Sequence, residues 1–145
     1  MTKTRPVFLV LGIALAGAAY SSLQAQAPKS VLDGIYTTAQ ADRGAAVYAA
    51  NCAGCHGDKL EGGGAGPTLS GPDFTSGYKD GMVSALLTKI SQDMPSSAPG
   101  SLTPEQYADV TARILAVNKY PAGQAELPKD PAALKAVKMA APPKS

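Results

Sequence analysis

Histidine occurs once in the 145 residues and cysteine twice. That scarcity removes most metal chemistry. A structural zinc site takes four protein ligands and a catalytic one three, so after these three side chains a carboxylate would have to complete the set. A thioredoxin-like redox pair follows a strand in a βαβ pattern, and no strand-like alternation precedes the cysteines here. No internal repeat is visible. The glycine-rich stretch from Gly57 to Gly71 is followed by no lysine at phosphate-loop spacing. Charge is also in short supply: 17% of residues carry it and the net is +2.

All of the scarce residues fall together. Asn51-Cys52-Ala53-Gly54-Cys55-His56-Gly57 holds both cysteines and the histidine within five consecutive positions. The order C-x-x-C-H is the attachment signal of a c-type haem. Two thiols three positions apart can each add across one haem vinyl group, and the histidine that follows comes under the iron as proximal ligand. Cys52 and Cys55 are therefore candidate covalent haem attachments and His56 a candidate iron ligand. A plain disulfide between the two cysteines is the remaining alternative.

The N-terminus reads as a targeting segment over residues 1–27. Lys3 and Arg5 are basic, Val7 to Ala19 is an apolar run, and Ala25-Gln26-Ala27 offers small residues for cleavage. The run is short of the roughly 20 apolar residues that span a bilayer, so a membrane is implied only if the segment stays uncleaved. Export to the periplasm agrees with haem attachment, which takes place outside the cytoplasm. Removing residues 1–27 leaves eleven basic and eleven acidic residues, a balance that argues against nucleic acid as a partner. From Val31 to Tyr120 the balance is −3, and from Pro121 to Ser145 it is +2. Ordinary solvated lysines in a tail account for that asymmetry more simply than a docking arm does.

Residues 28–36 read as an extended lead-in. A helix is expected from Thr37, where Thr37-Thr38-Ala39-Gln40 has the form of a reciprocal capping box, with Ala41, Gly44, Ala45, Tyr48 and Cys52 along one face. Gly44 inside it costs about 1 kcal/mol relative to alanine, which points to a close approach there. A second helix is expected over Gly81 to Gln92 with Asp80 as cap and Val83, Leu86, Leu87 and Ile90 as its apolar face. Met94-Pro95 ends it, and the proline holds Met94 extended. Thr103-Pro104-Glu105-Gln106 opens the last substantial helix, with Tyr107, Val110, Ile114 and Val117 as its buried stripe. Beyond Tyr120 the chain is rich in proline, alanine and lysine, with a short helix at most from Asp130-Pro131 through Met139.

A histidine on iron usually gives its other ring N–H to a carbonyl or carboxylate, and the Pro67 carbonyl is the candidate acceptor. With no second histidine, the sixth iron position falls to methionine, lysine, tyrosine, water or a substrate. Of the four methionines Met1 is in the targeting segment, Met82 opens a helix and Met139 lies in the tail. Met94, before a proline in a loop, is the strongest candidate.

These residues together resemble the monohaem class I bacterial cytochromes c. Gly44-x3-Tyr48-x3-Cys52-x2-Cys55-His56, then Gly66-Pro67-x-Leu69, Met94-Pro95 and Tyr107-x2-Val110-x3-Ile114-Leu115 follow that family's order over roughly residues 38–120. The resemblance implies an all-α class I cytochrome c fold over 37–120 around one covalent haem c with its iron. It implies Tyr48 and Leu69 as haem-packing residues and Gly44 and Tyr48 at a crossing of first and last helices opposite Val110, while composition makes 121–145 a Pro/Ala/Lys-rich tail. One residue departs from the pattern: Arg113 stands where the last helix commonly has an aromatic, and is expected to face solvent or approach a propionate. Tyr36-Thr37-x3-Ala41-x-Arg43-Gly44, Pro99-Gly100-Ser101-Leu102 and Tyr120-Pro121-Ala122-Gly123 most resemble the small cytochromes and fused cytochrome domains found with quinoprotein alcohol dehydrogenases. The implied activity is single-electron transfer between redox proteins, a dehydrogenase donor and an oxidase or cytochrome acceptor, with no catalytic residues of its own. Two alternatives remain at this level: a five-coordinate haem enzyme or gas sensor in which Met94 only packs, and a fixed cytochrome subunit of a dehydrogenase complex.

Overall fold

The computed structural model describes residues 27–63 and 65–143, so the targeting segment read at 1–27 lies outside it except for Ala27. Among the described residues five α-helices run α1 (Thr38–Asn51), α2 (Ala53–His56), α3 (Gly71–Tyr78), α4 (Val83–Asp93) and α5 (Pro104–Val117), with single 3-10 turns at Val31–Asp33 and Pro131–Leu134. No strand occurs among the described residues, so the fold is all-α as expected. No described helix is long and apolar enough to cross a membrane.

The pair α1 and α5 is the frame. At Gly44 the helices approach so closely that a Cβ would stand 1.9 Å from the carbonyl oxygen of Asp109, one residue before the expected Val110. Arg43 reinforces the crossing with a two-pronged pair, its Nε and Nη2 donating to the Asp109 carboxylate at 3.0 and 2.9 Å. α5 begins as read, with Thr103 and Gln106 exchanging both capping hydrogen bonds and Pro104 in the first turn. Tyr107, Val110 and Ile114 are buried, while Val117 is half-exposed.

α1 begins with only half of its expected box. Thr37 accepts from the Gln40 N–H, but the Gln40 side chain does not reach back. It is 2% exposed, its Nε2 donates to the Leu127 carbonyl and its Oε1 accepts the Leu127 N–H. A buried amide must satisfy both ends, and the backbone of one tail residue offers both at once. The stretch read as a solvated tail is thereby drawn into the domain. Leu127, Leu134, Val137 and Met139 are each under 5% exposed.

The lead-in is also not extended. Ser30 caps the turn at Val31–Asp33, and the fully buried Val31 donates its N–H to Lys138. Met139 in turn donates to the Gly81 carbonyl, so both flanks of the chain close over one end of α4. This explains the shifted start of α4. Asp80 does not cap it but takes a left-handed conformation at φ 65°, and the first helical N–H, of Val83, is satisfied by the Val137 carbonyl. A side-chain cap is redundant where tertiary structure supplies the acceptor. The tail helix is a 3-10 turn, capped by Asp130 and ending at Leu134, because Val137 to Met139 are committed to those bridges.

α3 is absent from the sequence reading. Its signals are weak individually: Ser70 before the start, Pro72 and Asp73 in the first turn, and Phe74 and Tyr78 one turn apart with ring centroids 5.0 Å apart.

Candidate functional site

α1 ends at the cysteine motif and α2 follows after the single non-helical residue Cys52. Cys52 closes α1 by donating its N–H to the Tyr48 carbonyl, and its own carbonyl accepts from Cys55 and His56 at 3.1 and 3.0 Å. Cys52, Cys55 and His56 therefore share one turn. Neither thiol is in a disulfide; Cys52 is half-buried and Cys55 exposed. Burial, with a smaller contribution from Cys55, pushes the Cys52 thiol up. A redox-active thiolate needs the opposite shift, which weighs against the thioredoxin-like reading.

Past His56 the chain reverses at Gly57, whose φ is +79°. The Tyr48 hydroxyl holds this corner by donating to the Gly57 carbonyl at 2.8 Å. Burial, followed by the nearby Cys52, Glu61 and Asp58, pushes the Tyr48 hydroxyl up to about 12, so it remains a neutral donor. The loop then lies flat against the imidazole: a Cβ on Gly66 would be 2.9 Å from Nδ1 of His56. The same nitrogen is 2.8 Å from the Pro67 carbonyl. A carbonyl only accepts, so Nδ1 carries the proton and the Nε2 lone pair is free for a metal. At the far end of this loop Asn118 donates to the Leu69 carbonyl and accepts the Gly71 N–H, fixing Leu69.

The opposite wall comes from the end of α4. Met94 is extended at φ −124° and ψ 150°, as Pro95 requires, and half-buried. Between the walls is an open cavity lined by Tyr48, Cys52, Cys55, His56, Leu69 and Met94, together with Ile90, Val110 and Ile114. Asn51 and Pro95 to Ser97 form the rest of its boundary. The structure brings six of the seven expected residues to one cavity, and the seventh, Pro67, contacts it through His56. Two unpaired thiols, one imidazole nitrogen and one thioether around a mainly apolar space fit a covalently held haem. No group of three or more His, Cys, Asp or Glu residues that could hold a separate metal ion exists among the described residues.

Arg113 does not line this cavity. It sits beside Gly44 at the helix crossing, half-buried, with an Nε that has no hydrogen-bond partner. Two features of the site go beyond what the sequence analysis singled out. The Tyr107 hydroxyl, counted there only as part of a buried stripe, donates to the Met94 carbonyl and accepts the Leu102 N–H. Three of the stretches that supply the cavity lining, Gly44 to Gly57, Gly66 to Pro72 and Met94 to Pro104, also contain no Asp, Glu, Lys or Arg.

The family model described as "Cytochrome C oxidase, cbb3-type, subunit III" matches residues 39–112, half of the chain. No curated protein matches the chain. Among solved structures, the crystal structure of the sulfane dehydrogenase SoxCD from Paracoccus pantotrophus is similar at 25% identity and a TM-score of 0.48, over 77% of this chain. This chain covers 59% of that one, less than two thirds of its length.

Proposed function

This chain belongs to the cytochrome c family described as cbb3-type cytochrome c oxidase subunit III, a domain that binds covalently attached haem c, and on that premise we propose that it is a periplasmic single-electron carrier with His56 and Met94 on the iron. Cys52 and Cys55 are the covalent attachments. The carrying observation is the cavity that places these four side chains together with the His56 Nδ1 already engaged by Pro67. When bound, haem supplies a ferric/ferrous couple, and a thioether ligand favours the ferrous form and raises the potential.

The chain's own contribution is positional. Pro67 holds the imidazole in one tautomer, Tyr48 holds the corner after His56, and Leu69, Ile90, Val110 and Ile114 keep water from the macrocycle. The role this arrangement supports is the passage of single electrons between redox partners. A quinoprotein or other dehydrogenase as donor and an oxidase or second cytochrome as acceptor suit an exported carrier with a raised potential. The targeting segment over residues 1–27 supports the periplasmic location.

Spectroscopy of the exported holoprotein tests the ligand set. The ferric form should show the far-red sulfur-to-iron charge-transfer band, and the reduced form should bind carbon monoxide poorly. Met94→Ala should abolish the band and admit carbon monoxide. Ready carbon monoxide binding by fresh wild-type protein would replace this reading with the five-coordinate one.

A further inference from the structure

We propose that Tyr107 is a positioning residue for the sixth iron ligand, acting through the backbone of Met94. The inference rests on the reading of Met94 as that ligand. Tyr107 lies in the first turn of α5 and is 4% exposed. Its hydroxyl has two partners: it donates to the Met94 carbonyl at 2.9 Å and accepts the Leu102 N–H at 3.3 Å. One oxygen therefore joins the two ends of the loop that starts at Met94.

The rest of that loop has little else to hold it. Residues Ser96 to Ser101 are exposed, and the backbone bonds inside the loop are two local turns, Ala98 to Pro95 and Ser101 to Ala98. Met94 itself is tied on one side by its N–H to the Ile90 carbonyl at the end of α4, at 3.2 Å. Its carbonyl is the other tie, and Tyr107 is the partner. A residue with both backbone groups fixed can swing its side chain only about its own rotatable bonds. A methionine side chain is flexible, so the backbone anchor decides where sulfur can reach.

The anchor also has a fixed reference. Tyr107 is two residues before Asp109, whose carbonyl bears on Gly44 of α1, and α1 runs directly into Cys52. The imidazole wall and the thioether wall are thus both indexed to the α1/α5 crossing. Local opening of the loop, the cheapest way to release a methionine from iron, must break the Tyr107 bonds first.

Tyr107→Phe keeps the ring and removes the hydroxyl. In the holoprotein, the loss of both bonds should tighten apparent imidazole binding to ferric iron about three- to tenfold, since the competing Met94-bound state is weakened. The far-red band should disappear at correspondingly lower imidazole concentration. Tyr120→Phe is the control, because it removes a hydroxyl bonded to Ala140, remote from Met94. It should lower the denaturation midpoint without changing imidazole affinity. A Tyr107→Phe protein with imidazole affinity within twofold of wild type overturns the inference. Should that variant fail to take up haem, hydrogen exchange in wild type decides: the Leu102 amide must exchange faster once imidazole has displaced Met94, and unchanged exchange overturns it equally. Failure of the underlying ligand reading shows up elsewhere, as a wild-type protein with no far-red band and a Met94→Ala variant that binds imidazole no better.

Discussion

Gly44 lies so close beneath Asp109 that a methyl group on its α-carbon would stand 1.9 Å from the Asp109 carbonyl oxygen and 2.5 Å from its carbonyl carbon. Both atoms are backbone inside α5, so neither can rotate away. Gly44→Ala must push the helices apart along the crossing, and we expect a loss of more than about 2 kcal/mol by denaturant titration of the holoprotein. Gly77, in α3, has nothing within 4 Å of its ideal Cβ. Gly77→Ala should instead be neutral or stabilise by up to about 1 kcal/mol, through helix propensity and a less mobile unfolded chain. Equal effects of the two substitutions would contradict the crossing.

Gln40 is the residue that ties the C-terminal segment to α1. Gln40→Ala would leave the buried N–H and C=O of Leu127 without partners. The expected loss is about 1–3 kcal/mol per unsatisfied group, read as a lower thermal midpoint together with new proteolytic cleavage between residues 121 and 130. Resistance to protease at wild-type level would mean that Leu127 is held by other contacts.

The stretches that supply the cavity lining bring no charged side chain to it, which limits how ionic strength acts on electron exchange there. Oxidation of the reduced protein by ferricyanide should vary less than about twofold between 20 and 500 mM salt, because screening alters only interactions between charges. Ser97→Lys puts a cation at the boundary of the cavity. It should accelerate the reaction several-fold at low salt and lose that advantage at high salt. A steep salt dependence in the wild type would place the exchange surface elsewhere on the molecule.

Burial raises the hydroxyls of Tyr36 and Tyr120 above the ordinary tyrosine value of 10.0. In the unfolded chain these groups begin to ionise near pH 10, while in the folded chain they keep their protons longer. Unfolding then releases protons, so stability is intact below pH 10 and falls as pH rises past it. Urea midpoints measured from pH 8 to 11 should show that decline. Tyr36→Phe should be less stable at pH 8, having lost its bond to the Tyr120 carbonyl, but show a shallower decline. An identical slope would exclude Tyr36 as a contributor.

The residues that meet at the cavity were legible because they are adjacent or rare in the sequence. Cys52, Cys55 and His56 lie within one turn, Met94 is marked by the proline after it, and the capping box at Thr103 and Gln106 needs only local hydrogen bonds. Helix α5 was legible on the same ground. The readings that failed were those in which a local partner competed with a distant one. Gln40 had a capping role available three residues away and took a buried one 87 residues away instead. Asp80 was in place to cap α4, and the Val137 carbonyl took over the work. α3 was hidden by its two glycines, since its contacts with the rest of the domain are not visible in a propensity.

From its sequence alone this protein was determined to be an all-α haem c domain, because the attachment motif, the helix periods and the turn residues act over a few positions and each has a direct physical cause. Only the tertiary structure decided that residues 121–140 complete the domain, that Tyr107 holds the Met94 backbone and that Arg113 sits at the helix crossing outside the cavity. Those outcomes depend on which buried donors and acceptors meet across long stretches of chain, and no local pattern carries that information.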